Sequence, residues 1–316
     1  MPLDPVIEAA LRAAQGVAPY YTLPIAQARA QAKLAYAASK PQVPVGAVRD
    51  RSLPGPAGTI PIRVYTPAGP GPHPVLVFFH GSGFVILDLD THDEICRHLC
   101  AGAGTIVVSV DYRLAPEHPY PAAPDDCLAA TCWAAAHAGE LGGDATRLAV
   151  AGDSAGGCLA AVTALRLRDA GGPALRAQLL LYPVTDYPSD PPDSYRRYGT
   201  GYGLTHEGMQ WLWTQYLPDA TAAGHPHVSP LRMDNPAGLP STYVMLAEYD
   251  LLSDEGEAFA RRLRDAGVDT TLRRCAGMNH GFLKYTQAID AADAAMDDAC
   301  AWLRQVLQAG TPASPP

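Results

Sequence analysis

From residue 43 onward the chain alternates short β-rich runs with longer helix-prone stretches. Residues 75–79, Val-Leu-Val-Phe-Phe, are an unbroken apolar run of the length expected for a strand buried on both faces. Further strands are predicted at 105–111, 147–151, 178–182, 243–247 and 270–274. Helices are predicted between them at 92–101, 124–138, 155–169, 255–266 and 285–307. Residues 45–53 and 59–67 flank the turn Pro54-Gly55-Pro56-Ala57-Gly58 and read as an antiparallel pair. The alternation predicts an α/β fold: a mostly parallel, eight-stranded sheet with helices on both faces.

Two segments break this rhythm. Residues 1–42 are Ala-rich and helix-prone and precede the first strand. The second segment, about 187–240, separates two strands by far more than a crossover needs and carries an apolar, aromatic helix near 205–216. It leaves the carboxyl end of its strand, the end where ligands bind in open α/β sheets. Both segments are therefore expected to form a helical cap over a site on the core at 43–308. Residues 309–316, rich in Pro and small residues, read as a disordered tail.

Composition narrows the function. The chain has 316 residues, 48% of them hydrophobic and 17% charged, as in an ordinary globular protein. A net charge of −9 and the lack of a basic cluster argue against nucleic acid or an anionic membrane as partner. No apolar run reaches the ~20 residues needed to span a bilayer. The N-terminus lacks a basic leader pattern, and the seven cysteines are odd in number without C-x-x-C spacing. A reduced, cytoplasmic protein with a small-molecule substrate is expected. The sequence does not set the oligomeric state; a homodimer is compatible with it. His92, Cys96 and Cys100 can share a helix face, but with no obvious fourth ligand they read as core residues rather than a metal site. Gly102-Ala103-Gly104 follows a helix and precedes a strand, the reverse of a dinucleotide-binding turn. Neither metal nor cofactor is expected.

The chemistry centres on Gly152-Asp153-Ser154-Ala155-Gly156-Gly157, which lies between a predicted strand and a predicted helix. A G-x-S-x-G element in that setting holds a serine on a sharp turn at the end of a sheet. A serine hydroxyl needs a base, an orienting acid and donors for an oxyanion before it attacks an acyl group. Downstream, Asp250 lies just past the strand at 243–247, with Glu248 as its main competitor. Of ten histidines, His280 alone follows the last predicted strand in a Gly-flanked loop. Asp254 and Glu255 open the next helix and read as capping acids. Upstream, His80-Gly81-Ser82-Gly83-Phe84 follows the strand at 75–79, where an HGGG-type turn supplies oxyanion-hole amides. The expected donors are the N–H groups of Gly81, Ser82 and Ala155, with the Ser82 hydroxyl adding a polar group near the acyl pocket. Phe84, Trp211, Leu212, Leu252 and Phe282 are candidates for lining that pocket.

These motifs resemble the hormone-sensitive-lipase-like, or bacterial family IV, esterases of the α/β-hydrolase fold. The resemblance rests on HGSGF at 80–84, DYRLAPEHPYPA at 111–122, GDSAGG at 152–157, EYDLLSDE at 248–255 and NHGF at 279–282. It implies Ser154, Asp250 and His280 as a catalytic triad, short- to medium-chain esters as substrates, and a cap from the N-terminal helices and the insert. Two positions depart from the family pattern: Ser82 replaces a glycine and Leu251 a proline. An amidase or peptidase of the same fold, and a non-catalytic receptor, are the rival readings; the presence of serine, aspartate and histidine together argues against the receptor.

Overall fold

The structure, a computed structural model, describes residues 1–36 and 43–308. The expectation of a disordered tail at 309–316 lies outside the described residues, as does the stretch 37–42 at the first domain boundary.

Eight strands form one sheet: β1 (Ala47–Gly55), β2 (Gly58–Thr66), β3 (His73–Phe79), β4 (Ile106–Val110), β5 (Gly143–Asp153), β6 (Ala177–Leu181), β7 (Ser241–Tyr249) and β8 (Thr270–Asn279). Their spatial order is β1-β2-β4-β3-β5-β6-β7-β8. The first hairpin and the β2–β4 pair are antiparallel, and every pairing from β4 through β3 to β8 is parallel. This is the sheet predicted from the alternation of runs.

The helices of the core are α3 (Asp93–Ala103), α4 (Ala122–Ala136), α5 (Ala155–Ala170), α8 (Ser253–Asp265) and α9 (Asp290–Gln308); α1 (Pro5–Ala13) and α2 (Ile25–Tyr36) precede β1, and α6 (Asp193–Tyr198) and α7 (His206–Tyr216) occupy the β6–β7 connection. The sheet divides two apolar layers. Val75, Val77 and Phe79 of β3 enter the layer shared with α4, α5 and α8, whereas Leu76 and Phe78 enter the layer shared with α3 and α9. Burial on both faces explains why β3 is apolar at successive positions. The last helix starts at Asp290 rather than near residue 285, because Phe282–Tyr285 forms a separate 3₁₀ turn.

The parallel arrangement sets the site. β3, β5, β7 and β8 end at Phe79, Asp153, Tyr249 and Asn279, so their carboxyl ends deliver His80, Ser154, Asp250 and His280 to one edge of the sheet. The N-terminal segment and the insert meet beside that edge. Tyr20 packs edge-on against Trp211 of α7 at 5.7 Å, and Phe84 stacks on Tyr216 at 3.9 Å. Among the described residues, no helix is long and apolar enough to cross a membrane.

Candidate active site

Ser154 occupies the turn between β5 and α5 with φ 55° and ψ −119°, a backbone conformation that non-glycine residues rarely adopt. Packing enforces it. A Cβ at Gly152 would lie 2.2 Å from the Gly156 carbonyl oxygen, and one at Gly156 would lie 1.9 Å from the Phe79 carbonyl oxygen. Only glycine lets the strand, the helix and β3 approach so closely. The Ser154 N–H donates to Leu181 O at 2.8 Å, fixing the turn to β6.

The three residues singled out from sequence converge here. Ser154 Oγ is 2.9 Å from His280 Nε2, and His280 Nδ1 is 2.7 Å from Asp250 Oδ2. The second Asp250 oxygen accepts the Leu252 N–H at 2.9 Å, so the carboxylate is held at both atoms. A carboxylate accepts hydrogen bonds, which puts the imidazole hydrogen on Nδ1 and leaves the Nε2 lone pair facing the serine hydroxyl. Asp250 is 2% exposed. Glu248, the competitor, points away: it accepts the Gly277 N–H at 2.7 Å and pairs with the N-terminal amine at 3.2 Å.

The oxyanion loop differs from expectation at Gly81. Its N–H is turned inward, donating to Asp153 Oδ1 at 2.6 Å with His92 Nε2 at 3.2 Å. It is thus not available to a bound oxyanion. Among the described residues, the N–H groups of Ser82, Gly83 and Ala155 meet no acceptor. This leaves the N–H groups of Ser82, Gly83 and Ala155, rather than that of Gly81, as candidate donors. The Ser82 hydroxyl also departs from expectation. It accepts the Phe84 N–H at 2.8 Å and lies 2.6 Å from the Tyr112 hydroxyl, so it faces the loop rather than an acyl group.

The five pocket candidates separate. Leu212 lies against Gly83, where a Cβ would come within 2.4 Å of Leu212 Cδ1. Phe84 and Leu252 are buried in the same apolar layer as Leu212. Trp211 is half-buried and joins α7 to the N-terminal segment through Tyr20. Phe282 lies apart from the other four: it has no exposed surface, belongs to the opposite layer, and packs on Tyr182 at 5.6 Å. Tyr182 in turn meets the His280 ring edge-on at 5.1 Å, so Phe282 reaches the histidine through Tyr182.

The bonding of several residues around the site was not visible in the sequence. His92, grouped with Cys96 and Cys100, instead pairs with Asp153 at 3.2 Å; the two thiols are core residues, with burial pushing Cys100 up to about 12. Burial opposes the Asp153 charge most strongly, yet His92 and the Gly81 N–H together hold its carboxyl below the usual range. Tyr112 donates to His80 O at 2.6 Å and stacks on the His80 ring at 4.4 Å. His80 is pushed down to about 3 by burial and then by His92, so it braces the loop as a neutral ring. Glu255, read as a capping acid, is buried and reaches the backbone N–H groups of Thr185 at 2.8 Å and Asp186 at 3.3 Å. A carboxylate shortly after the end of β7 was the available signal, but its direction was not.

Known proteins resemble the chain over most of its length. Residues 76–284 match the family described as the alpha/beta hydrolase fold. The chain is 45% identical to carboxylic ester hydrolase LipN of Mycobacterium tuberculosis, over 84% of this chain and 72% of that protein. It is 38% identical to an ethyl acetate hydrolase of Pseudomonas putida, over 89% of this chain and 90% of the other. A thermostable esterase from Pseudomonas putida superposes with a TM-score of 0.94 and 41% identity, covering 98% of this chain and 99% of that one. On the strained serine turn, the ordered motifs from His80 to Phe282 and these likenesses, the chain belongs to the α/β-hydrolase fold family, among the hormone-sensitive-lipase-like esterases.

Proposed function

We propose that the chain hydrolyses carboxylic esters through a covalent acyl-enzyme on Ser154. The observation that carries this reading is the continuous 2.9 Å and 2.7 Å relay from Ser154 Oγ through His280 to Asp250. Ser154 Oγ attacks the ester carbonyl carbon while its proton passes to His280 Nε2. Asp250 keeps Nδ1 protonated and stabilises the imidazolium that forms. The carbonyl oxygen, now negative, takes the N–H groups of Ser82, Gly83 and Ala155; Ala155 is the first residue of α5, where the helix N-terminus adds favourable potential. Collapse expels the alcohol, protonated by His280. Water then attacks the acyl carbon with His280 again as base, releasing the acid and restoring the serine.

The N-terminal helices and the insert act as the cap. Leu212, pressed on Gly83, narrows the space beside the oxyanion loop, which supports short- to medium-chain acyl groups as substrates. The test is Ser154→Ala on a series of p-nitrophenyl esters from acetate to palmitate. The wild type is expected to peak at or below medium chain length, and the variant to lose at least about 10³-fold in kcat across the series. Near-full turnover by Ser154→Ala overturns the assignment, and a wild-type maximum at palmitate overturns the chain-length reading.

A further inference from the structure

The oxyanion loop has to present two amides and hide the rest. Residues 80–84 are tied down at several other polar atoms. His80 O accepts the Tyr112 hydroxyl at 2.6 Å. The Gly81 N–H is held by Asp153 at 2.6 Å. The Phe84 N–H is held by Ser82 Oγ at 2.8 Å. Between these anchors, Gly83 and Phe84 take successive left-handed conformations, φ 54° and 66°, the second of them on a residue with a bulky side chain.

The hydrogen positions follow by elimination. Tyr112 has one hydroxyl hydrogen, and it goes to His80 O. At the 2.6 Å contact between Ser82 Oγ and Tyr112 Oη, Ser82 is therefore the donor. The chain runs from the Phe84 N–H into Ser82 Oγ, from the Ser82 O–H into Tyr112 Oη, and from the Tyr112 O–H into His80 O. It spans both ends of the loop. Ser82, Tyr112 and His80 are 3%, 2% and 0% exposed, so water does not readily replace any member.

We propose that the Ser82 hydroxyl is a positioning group that, with Tyr112, fixes the Ser82 and Gly83 amides toward the developing oxyanion. A glycine at this position would leave the Tyr112 oxygen and the Phe84 N–H without this partner and open the ring. The serine that departs from the HGGG pattern thus stiffens the oxyanion loop; its hydroxyl does not contact the acyl group. The inference rests on the assignment of these amides to the oxyanion in the ester-hydrolase reading.

The test compares Ser82→Ala, Ser82→Gly, Tyr112→Phe and the Ser82→Ala/Tyr112→Phe pair on p-nitrophenyl butyrate. It also measures inhibition by a trifluoromethyl ketone that forms a tetrahedral adduct with a serine. Each single variant is expected to lower kcat roughly tenfold, through misaligned donors, with KM within about twofold. Ketone affinity should weaken by a similar factor. The double variant should be no worse than the poorer single one, because the two hydroxyls act as one chain. If kcat and ketone affinity stay within twofold of wild type while only the melting temperature falls, the hydroxyl is merely structural and the proposal is overturned. Multiplying losses in the double variant also overturn it. Should Ser82→Ala not fold, Tyr112→Phe and Ser82→Gly carry the same comparison. A fluorophosphonate that fails to label wild-type Ser154 sinks the esterase reading; labelled enzyme with unaltered kcat in the variants sinks only this inference.

Discussion

Asp153 and His92 form a buried pair immediately behind Ser154, 3.2 Å apart and 3% and 0% exposed. A buried pair gains little over a well-packed apolar one, but removing one partner leaves the other polar group stranded. Asp153→Asn is therefore expected to destabilise the protein by about 3 kcal/mol at pH 7, read by urea unfolding. The sign with pH follows from the lowered Asp153 pKa. The folded state favours the ionised carboxyl, so its contribution is complete above the unfolded value of about 3.9 and is lost as pH falls through the lower folded value. The gap between variant and wild type should persist to about pH 4; equal stabilities at pH 7 would show that the pair contributes nothing. The same residue explains why the Gly81 N–H turns inward. The motif announced a row of amides at 81–83, but which of them face a substrate depends on a side chain 72 positions away. The convergence of Ser154, Asp250 and His280 was legible because the G-x-S-x-G turn, the strand ends and the chain order bring them to one place.

Elements set the directions that residues cannot. α8 begins at Ser253, shortly after Asp250, and its first turn carries Asp254 and Glu255. Both face the connection that leaves β6: Asp254 accepts the Ser194 N–H at 2.8 Å, and Glu255 accepts those of Thr185 and Asp186. The first turn of α8 thereby fastens the start of the insert to the strand that supplies Asp250. Burial pushes Glu255 up to about 8, against the opposing pull of the two N–H donors. Its folded pKa lies above the unfolded value of about 4.3, so the folded state holds the extra proton between the two. Stability should consequently fall as pH rises from about 5 to about 8. Glu255→Gln is expected to flatten that part of the melting-temperature profile; parallel profiles for variant and wild type would refute the claim. Periodicity located α8 to within a few residues and missed its bonding, because a helix face visible in sequence does not reveal what covers it. Strands β5, β7 and β8 likewise run beyond their apolar cores, since pairing with neighbours, as in Tyr249 with Asn279, extends them where hydrophobicity has stopped.

At the scale of the molecule, the question is how the proposed cap is held to the sheet edge. α2 supplies one fastening. Arg29 donates to Val85 O at 2.9 Å and to Ala115 O at 3.0 Å, and forms a two-pronged bond with Glu117 at 2.9 and 2.6 Å. Lys33, one turn on, pairs with Asp88. Val85 lies one residue beyond Phe84, so α2 is coupled to the segment that carries the oxyanion loop. The Glu117 carboxylate is half exposed, and an ion pair there contributes little. The two backbone carbonyls matter more, because Arg29 is their bridge between separate loops and truncation strands them. Arg29→Ala should therefore raise local opening of α2 by about 2 kcal/mol without abolishing the fold. Hydrogen exchange would register it as faster exchange in residues 25–36 and in 84–87, with the β3 and β5 amides unchanged. High salt should reproduce only the small part that comes from the Glu117 and Asp88 pairs. Uniform loss of protection across the sheet would instead make Arg29 a global stability residue, and unchanged exchange in α2 would mean the helix is held by apolar packing alone. The sequence foretold helices at the N-terminus but not this clasp, since an arginine in an Ala-rich helix, 56 residues from the carbonyl it bonds, carries no local signature.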